Sequence, residues 1–126
     1  RFRLAPLQHC DNLYVVDLIA REALKPVRRD DGSEGWTWRF DPFLWRNLNI
    51  GDLRGSLGRI RCPAALMRGG LSDLMRPEDA AYTLSMMPPG TPFVEIPEAW
   101  HHVMIDQPLA FVAALRALIG AWNDVA

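Results

Sequence analysis

Apolar and polar positions fall into a clear order in the second half of the chain. Ala64-Ala65-Leu66-Met67-Arg68, bounded by Pro63 and Gly69-Gly70, has the pattern of a short buried strand. Pro77 followed by Glu78 and Asp79 opens a helix, because proline suits the first helical position and acids suit the first turn. That helix is expected to run to about Met87, where Pro88-Pro89-Gly90 breaks it. Pro92 to Ile96 is the second strand. A last helix, from Pro108 to about Trp122, carries Phe111, Leu115, Leu118, Ile119 and Trp122 on one face, which should dock on the sheet. Residues 60–122 therefore read as a βαβα unit with two parallel strands.

The first half is less regular. Residues 1–10 read as irregular, and Asp11 or Asn12 caps a helix through Leu24 that Lys25-Pro26 stops. Residues 28–35 are polar and read as an exposed loop. Trp36, Trp38 and Phe40 alternate, so they share a face if the segment is extended; with Phe43 and Trp45 they form an aromatic cluster. The cluster either packs beneath a cap or walls a substrate pocket. Residues 46–59 hold one short helix around Asp52–Leu57. No third strand is expected here. Two buried parallel strands do not make a stable sheet alone, so the missing strands should come from a longer gene product or a partner chain.

Charge narrows the partners. With 14 basic and 15 acidic residues among 126, neither nucleic acid nor an anionic membrane is the expected partner. The densest basic spot, Arg28-Arg29, is answered by Asp30-Asp31 and reads as a solvated turn. No apolar run approaches the ~20 residues of a membrane span. Cys10 and Cys62 make no Cys-x-x-Cys pair and read as free thiols of a reducing, cytoplasmic compartment, with a disulfide as the alternative. No His/Cys/Asp/Glu cluster has metal-ligand spacing, and neither metal nor cofactor is expected.

The chemistry gathers after the two strands. A histidine base needs a carboxylate to orient it and a nucleophile or water to activate. Asp73 follows the first strand and His101 the second, so parallel neighbours would bring both loops to one sheet edge, where ligands of open α/β sheets bind. Glu95, Glu98 and Asp106 are rival carboxylates, with Asp106 placed to serve the start of the last helix. His102 reads as structural or rim, His9 as a surface or cap residue, and Trp100 either lines the site or wedges the loop.

Cys62-Pro63-Ala64-Ala65-Leu66-Met67-Arg68-Gly69, Ser72-Asp73-Leu74-Met75 and Pro97-Glu98-Ala99-Trp100-His101 together resemble the C-terminal portion of the α/β-hydrolase superfamily: its penultimate strand, its acid loop and its final strand exit. In that family the catalytic histidine stands seven residues before the proline that opens the last helix. Pro108 stands seven after His101, which selects His101 over His102. The resemblance implies a cap or lid-like helical and aromatic segment over residues 1–56 and the C-terminal βαβα part of the hydrolase core over 57–126. It implies His101 as general base and then acid, oriented by Asp73. Trp100, Leu74, Trp36 and Trp38 are the candidate substrate contacts.

The family's Gly-x-Ser-x-Gly elbow and Gly-rich oxyanion loop are absent from these residues. The nucleophile is therefore expected outside this chain, in a missing N-terminal half or a complementary chain, and the chain alone should not run the acyl-transfer cycle. A serine nucleophile would imply esterase-like hydrolysis of an ester-like or small apolar substrate. An aspartate would imply epoxide-hydrolase-like or dehalogenase-like chemistry. The rival of another class is a non-catalytic hydrolase-like fragment that only associates, with another chain or as a homo-oligomer. A nucleotide-binding α/β unit lacks any Gly-x-Gly-x-x-Gly or P-loop.

Overall fold

A computed structural model describes residues 9–41, 43–49 and 51–124. The reading of residues 1–8 as irregular lies outside the described residues, as does the place of the Trp45 side chain in the aromatic cluster.

Helix α1 spans Leu13–Ala23, and the Asn12 side chain caps it by accepting the Val15 N–H. It ends one residue before the expected stop. Proline at position 26 disfavours helical backbone at Lys25, and the chain is already extended at Leu24. No loop follows. Strand β1 (Leu24–Arg28) begins at once and pairs antiparallel with β2 (Glu34–Trp38), from Leu24↔Trp38 to Arg28↔Glu34. This hairpin corrects the expectation that the first half, read mostly as helix and loop, supplies no further strand. It also narrows the exposed loop from 28–35 to its tip, where Arg29 N–H bonds Ser33 O, Asp31 accepts the Ser33 N–H, and Gly32 adopts a φ of 83°. Pro26 is tolerated because a two-stranded ribbon has only edge strands. Two single-turn helices follow, α2 (Leu44–Asn47) and α3 (Arg54–Leu57), the second falling where a short helix was expected.

The second half matches its pattern closely. Strand β3 (Leu66–Gly69), helix α4 (Pro77–Met86), strand β4 (Phe93–Ile96) and helix α6 (Pro108–Asn123) lie within a few residues of their predicted bounds. Strands β3 and β4 are parallel, in register from Leu66↔Phe93 to Gly69↔Ile96. At the start of α4, Pro77 holds the first position and Asp79 accepts the Arg76 N–H. A further short helix, α5 (Val103–Asp106), lies within what the sequence reads as loop.

The core is small and lies where β4 meets the loop beyond it. Ile96, Ala99 and Val103 are buried together, with Met67, Val94, Phe111 and Ala114 packed against them. The docking face of α6 is thus Phe111, Ala114, Leu118 and Trp122, all half-buried. Leu115 and Ile119, expected on that face, are exposed, because the half-buried stripe advances three or four residues at a time from Phe111 and both lie to one side of it. Both cysteines are unbridged. Among the described residues, no helix is long and apolar enough to cross a membrane.

Candidate active site

Parallel pairing brings the carboxyl ends of β3 and β4 to one edge, and backbone hydrogen bonds then join the two loops. Gly70 N–H donates to Ile96 O and Leu71 N–H to Ala99 O. The approach is close enough that Gly69 must lack a side chain, since a Cβ there would overlap the carbonyl oxygens of Ala99 and Trp100. Ala99 is itself 0% exposed. The acid loop and the histidine loop are therefore one packed unit.

Arg68 braces the acid loop from within. Its guanidinium is buried, pairs with the Glu95 carboxylate, and donates to the carbonyls of Gly70 and Met75 on either side of the loop. Glu95, a rival carboxylate in the sequence, is thus committed to Arg68. Between those carbonyls, the buried Ser72 accepts the Met75 N–H on Oγ at 3.2 Å and turns the same oxygen toward His101 Nδ1 at 3.4 Å. Asp73 follows on the exposed side of the turn, where it makes contacts of its own, and Leu74 beside it is exposed.

With Nδ1 turned to Ser72, Nε2 lies on the far side of the His101 ring. Burial pushes the His101 pKa below its ordinary value, and the nearby His102, whose ring packs edge-on at 5.4 Å, lowers it further. Both causes favour the neutral ring, the form that can accept a proton. Ser72 as a partner of His101 is a finding that sequence reasoning missed. A hydroxyl has no spacing signature, and the one available signal was its place immediately before the candidate acid.

Trp100 is turned to the N-terminal segment. Its indole N–H donates to Asp11 Oδ2 at 3.1 Å, and its ring meets His9 edge-on at 4.8 Å. His9 also bonds Asp11, so the indole first and His9 second hold the Asp11 carboxyl below its usual range. Glu98 adopts a φ of 54°, and its carbonyl accepts from Gln107 Nε2. Asp106 is at the end of α5 and does not cap α6; its carboxylate takes backbone N–H groups of Asp11 and Trp100, correcting the helix-start role expected for it. Burial and this carboxylate push the Cys10 thiol up to about 11. Trp36 is 68% exposed and lines a cleft of about 300 Å³ on the hairpin with Pro26, Val27 and Arg28, while Trp38 packs on Phe40 at 4.8 Å. Among the described residues, no group of three His, Cys, Asp or Glu is placed to hold a metal ion.

Two solved structures are similar to this chain in fold. The crystal structure of E-2-(acetamidomethylene)succinate hydrolase superposes with a TM-score of 0.70 at 24% identity, over 85% of this chain and 39% of that one. That of the esterase Rv0045c from Mycobacterium tuberculosis superposes with a TM-score of 0.58 at 23% identity, over 90% of this chain and 44% of that one. The chain has the fold of the C-terminal part of an α/β-hydrolase. It spans about two-fifths of the length of each of those structures. No family model and no curated protein matches its sequence.

Proposed function

We propose that this chain supplies the acid and histidine of an α/β-hydrolase that cleaves an ester-like or small apolar substrate through a covalent intermediate. His101 Nε2 takes the proton of a nucleophile carried outside residues 1–126 and later returns it to the leaving group. Asp73 orients the imidazole and stabilises its protonated form. Residues 1–56 form the cap segment over the site, with Trp36, Trp38, Leu74 and Trp100 as its apolar contacts, and residues 57–126 belong to the core. The open edges of the β3–β4 pair are completed by strands of the part that carries the nucleophile, in the same product or a second chain.

The observation that carries this reading is a half-buried histidine after β4, on a loop that backbone bonds hold against the loop of the parallel neighbour that carries Asp73. Both structural neighbours, a hydrolase and an esterase, support the reaction class. The test is hydrolysis of short p-nitrophenyl esters by the full protein and its His101→Ala variant. Turnover that disappears in the variant is expected. Equal turnover in both proteins would remove His101 from the mechanism.

A further inference from the structure

The acid that follows the histidine by five residues is built into the loop in a way the orienting pair does not require. Asp106 is buried, and its two carboxylate oxygens are used by different parts of the chain. Oδ2 accepts the N–H of Trp100, the residue immediately before His101, at 3.0 Å. Oδ1 accepts the N–H of Asp11, 95 residues away in sequence, also at 3.0 Å. Asn12 adds a bond from Nδ2 to Ile105 O at 2.9 Å, and Trp100 returns one from its indole to Asp11. The carboxylate is itself held, because Val103 and Ile105 of the same short helix are buried. Hydrogen bonds with an ionised acceptor are about twice as strong as neutral ones.

We propose that Asp106 is a positioning residue: by binding the Trp100 and Asp11 amides at once, it fixes the backbone that carries His101 and ties it to the segment entering α1. This rests on His101 being the base. An asparagine at 106 offers one oxygen and one N–H₂ group, so one of the two amides loses its acceptor and faces a donor. A glutamate keeps both oxygens.

The test has two arms, each on the full protein. In ester hydrolysis, Asp106→Asn is expected to lower kcat about 10- to 100-fold with KM within about threefold, as misplacement of a reacting group does. Asp106→Glu should recover most of that loss. In amide hydrogen exchange, Asp106→Asn should speed exchange at Trp100 and Asp11 by about tenfold or more, and leave Met67 and Val94 in the β3–β4 pair unchanged. The His101 ring ¹⁵N signals should shift with it. Unchanged exchange at Trp100 would overturn the proposal. So would equal acceleration throughout β3 and β4, which marks general destabilisation, or local acceleration with unchanged kcat. A wild-type protein without ester hydrolysis would instead count against the hydrolase reading, and the exchange arm with the ring signals would then decide whether Asp106 holds the loop.

Discussion

The two strand pairs of this molecule are held in different ways. The parallel pair β3–β4 has buried residues at its carboxyl end: Arg68, Gly69 and Ile96 in the strands, then Ser72, Ala99, Val103, Ile105 and Asp106 beyond them. The antiparallel hairpin β1–β2 has none. The hairpin and the helix before it depend on the strand ladder and on bonds between near neighbours, such as Ser33 with Asp31 in the turn and Arg21 with Asp17 in α1. The exception is residues 9–12, which cross to the histidine loop. A parallel pair joined through a helix gathers distant loops at one edge, whereas a hairpin gathers only its own neighbours. The half that collects a core is therefore also the half that brings distant loops together.

The largest contrast should appear in catalysis. His101→Ala in the full protein is expected to cut kcat/KM by about 10³-fold or more. Trp36→Ala on the exposed hairpin should raise KM several-fold with kcat nearly unchanged, the mark of uniform binding. A Trp36 variant that loses kcat as His101→Ala does would erase the distinction between the regions. Asp73→Asn should cost about 10³- to 10⁴-fold by leaving the imidazole in the wrong tautomer. Retained activity would shift the orienting role to Ser72 or to a carboxylate beyond these residues.

A smaller effect separates the regions in stability. Gly69→Ala should cost about 3 kcal/mol, because the obstacle is backbone that the Gly70–Ile96 and Leu71–Ala99 bonds hold in place. Gly55→Ala in α3 meets nothing within 4 Å and should be neutral or stabilising by up to about 1 kcal/mol. Urea unfolding of both variants checks this; equal shifts would mean that the approach of the two loops is not tight.

The smallest effect concerns pH. His101 must be neutral to accept a proton, so kcat/KM should rise with pH along a limb centred below the ordinary histidine value of about 6.5 and stay level above it. Removing the second histidine with His102→Gln relieves one of the two causes and should move the limb to higher pH. A limb that does not move would leave burial as the sole cause.

Legibility in the sequence followed the same division. The βαβα unit was readable because Pro63, Gly69-Gly70, Pro77, Pro88-Pro89-Gly90 and Pro108 mark its boundaries, and because parallel strands reveal themselves as short apolar runs. The hairpin escaped notice because Leu24–Arg28 holds Lys25, Pro26 and Arg28, is exposed along most of its length, and follows a helix with no intervening loop. Its signals were the Asp31-Gly32 pair, a turn dipeptide suited to hairpins, and the alternation of Trp36 and Trp38 in β2. Asp73 and His101 could be chosen by their places after strands. The bonds from Ser72, Arg68 and Asp106 could not, since each depends on how the loops cross after the strands have paired. Helix α5 is a single turn and leaves no periodicity to read.

The most direct test follows the nucleophile itself. Intact mass spectrometry of the full protein after exposure to a fluorophosphonate probe measures how fast a serine nucleophile becomes covalently modified, and His101 is proposed to activate it. A single adduct that forms quickly on the wild-type protein, and about 10³-fold more slowly on His101→Ala, is the predicted result. Labelling at equal rates in both proteins, or in neither, would contradict the assignment of His101 as the base of a serine hydrolase.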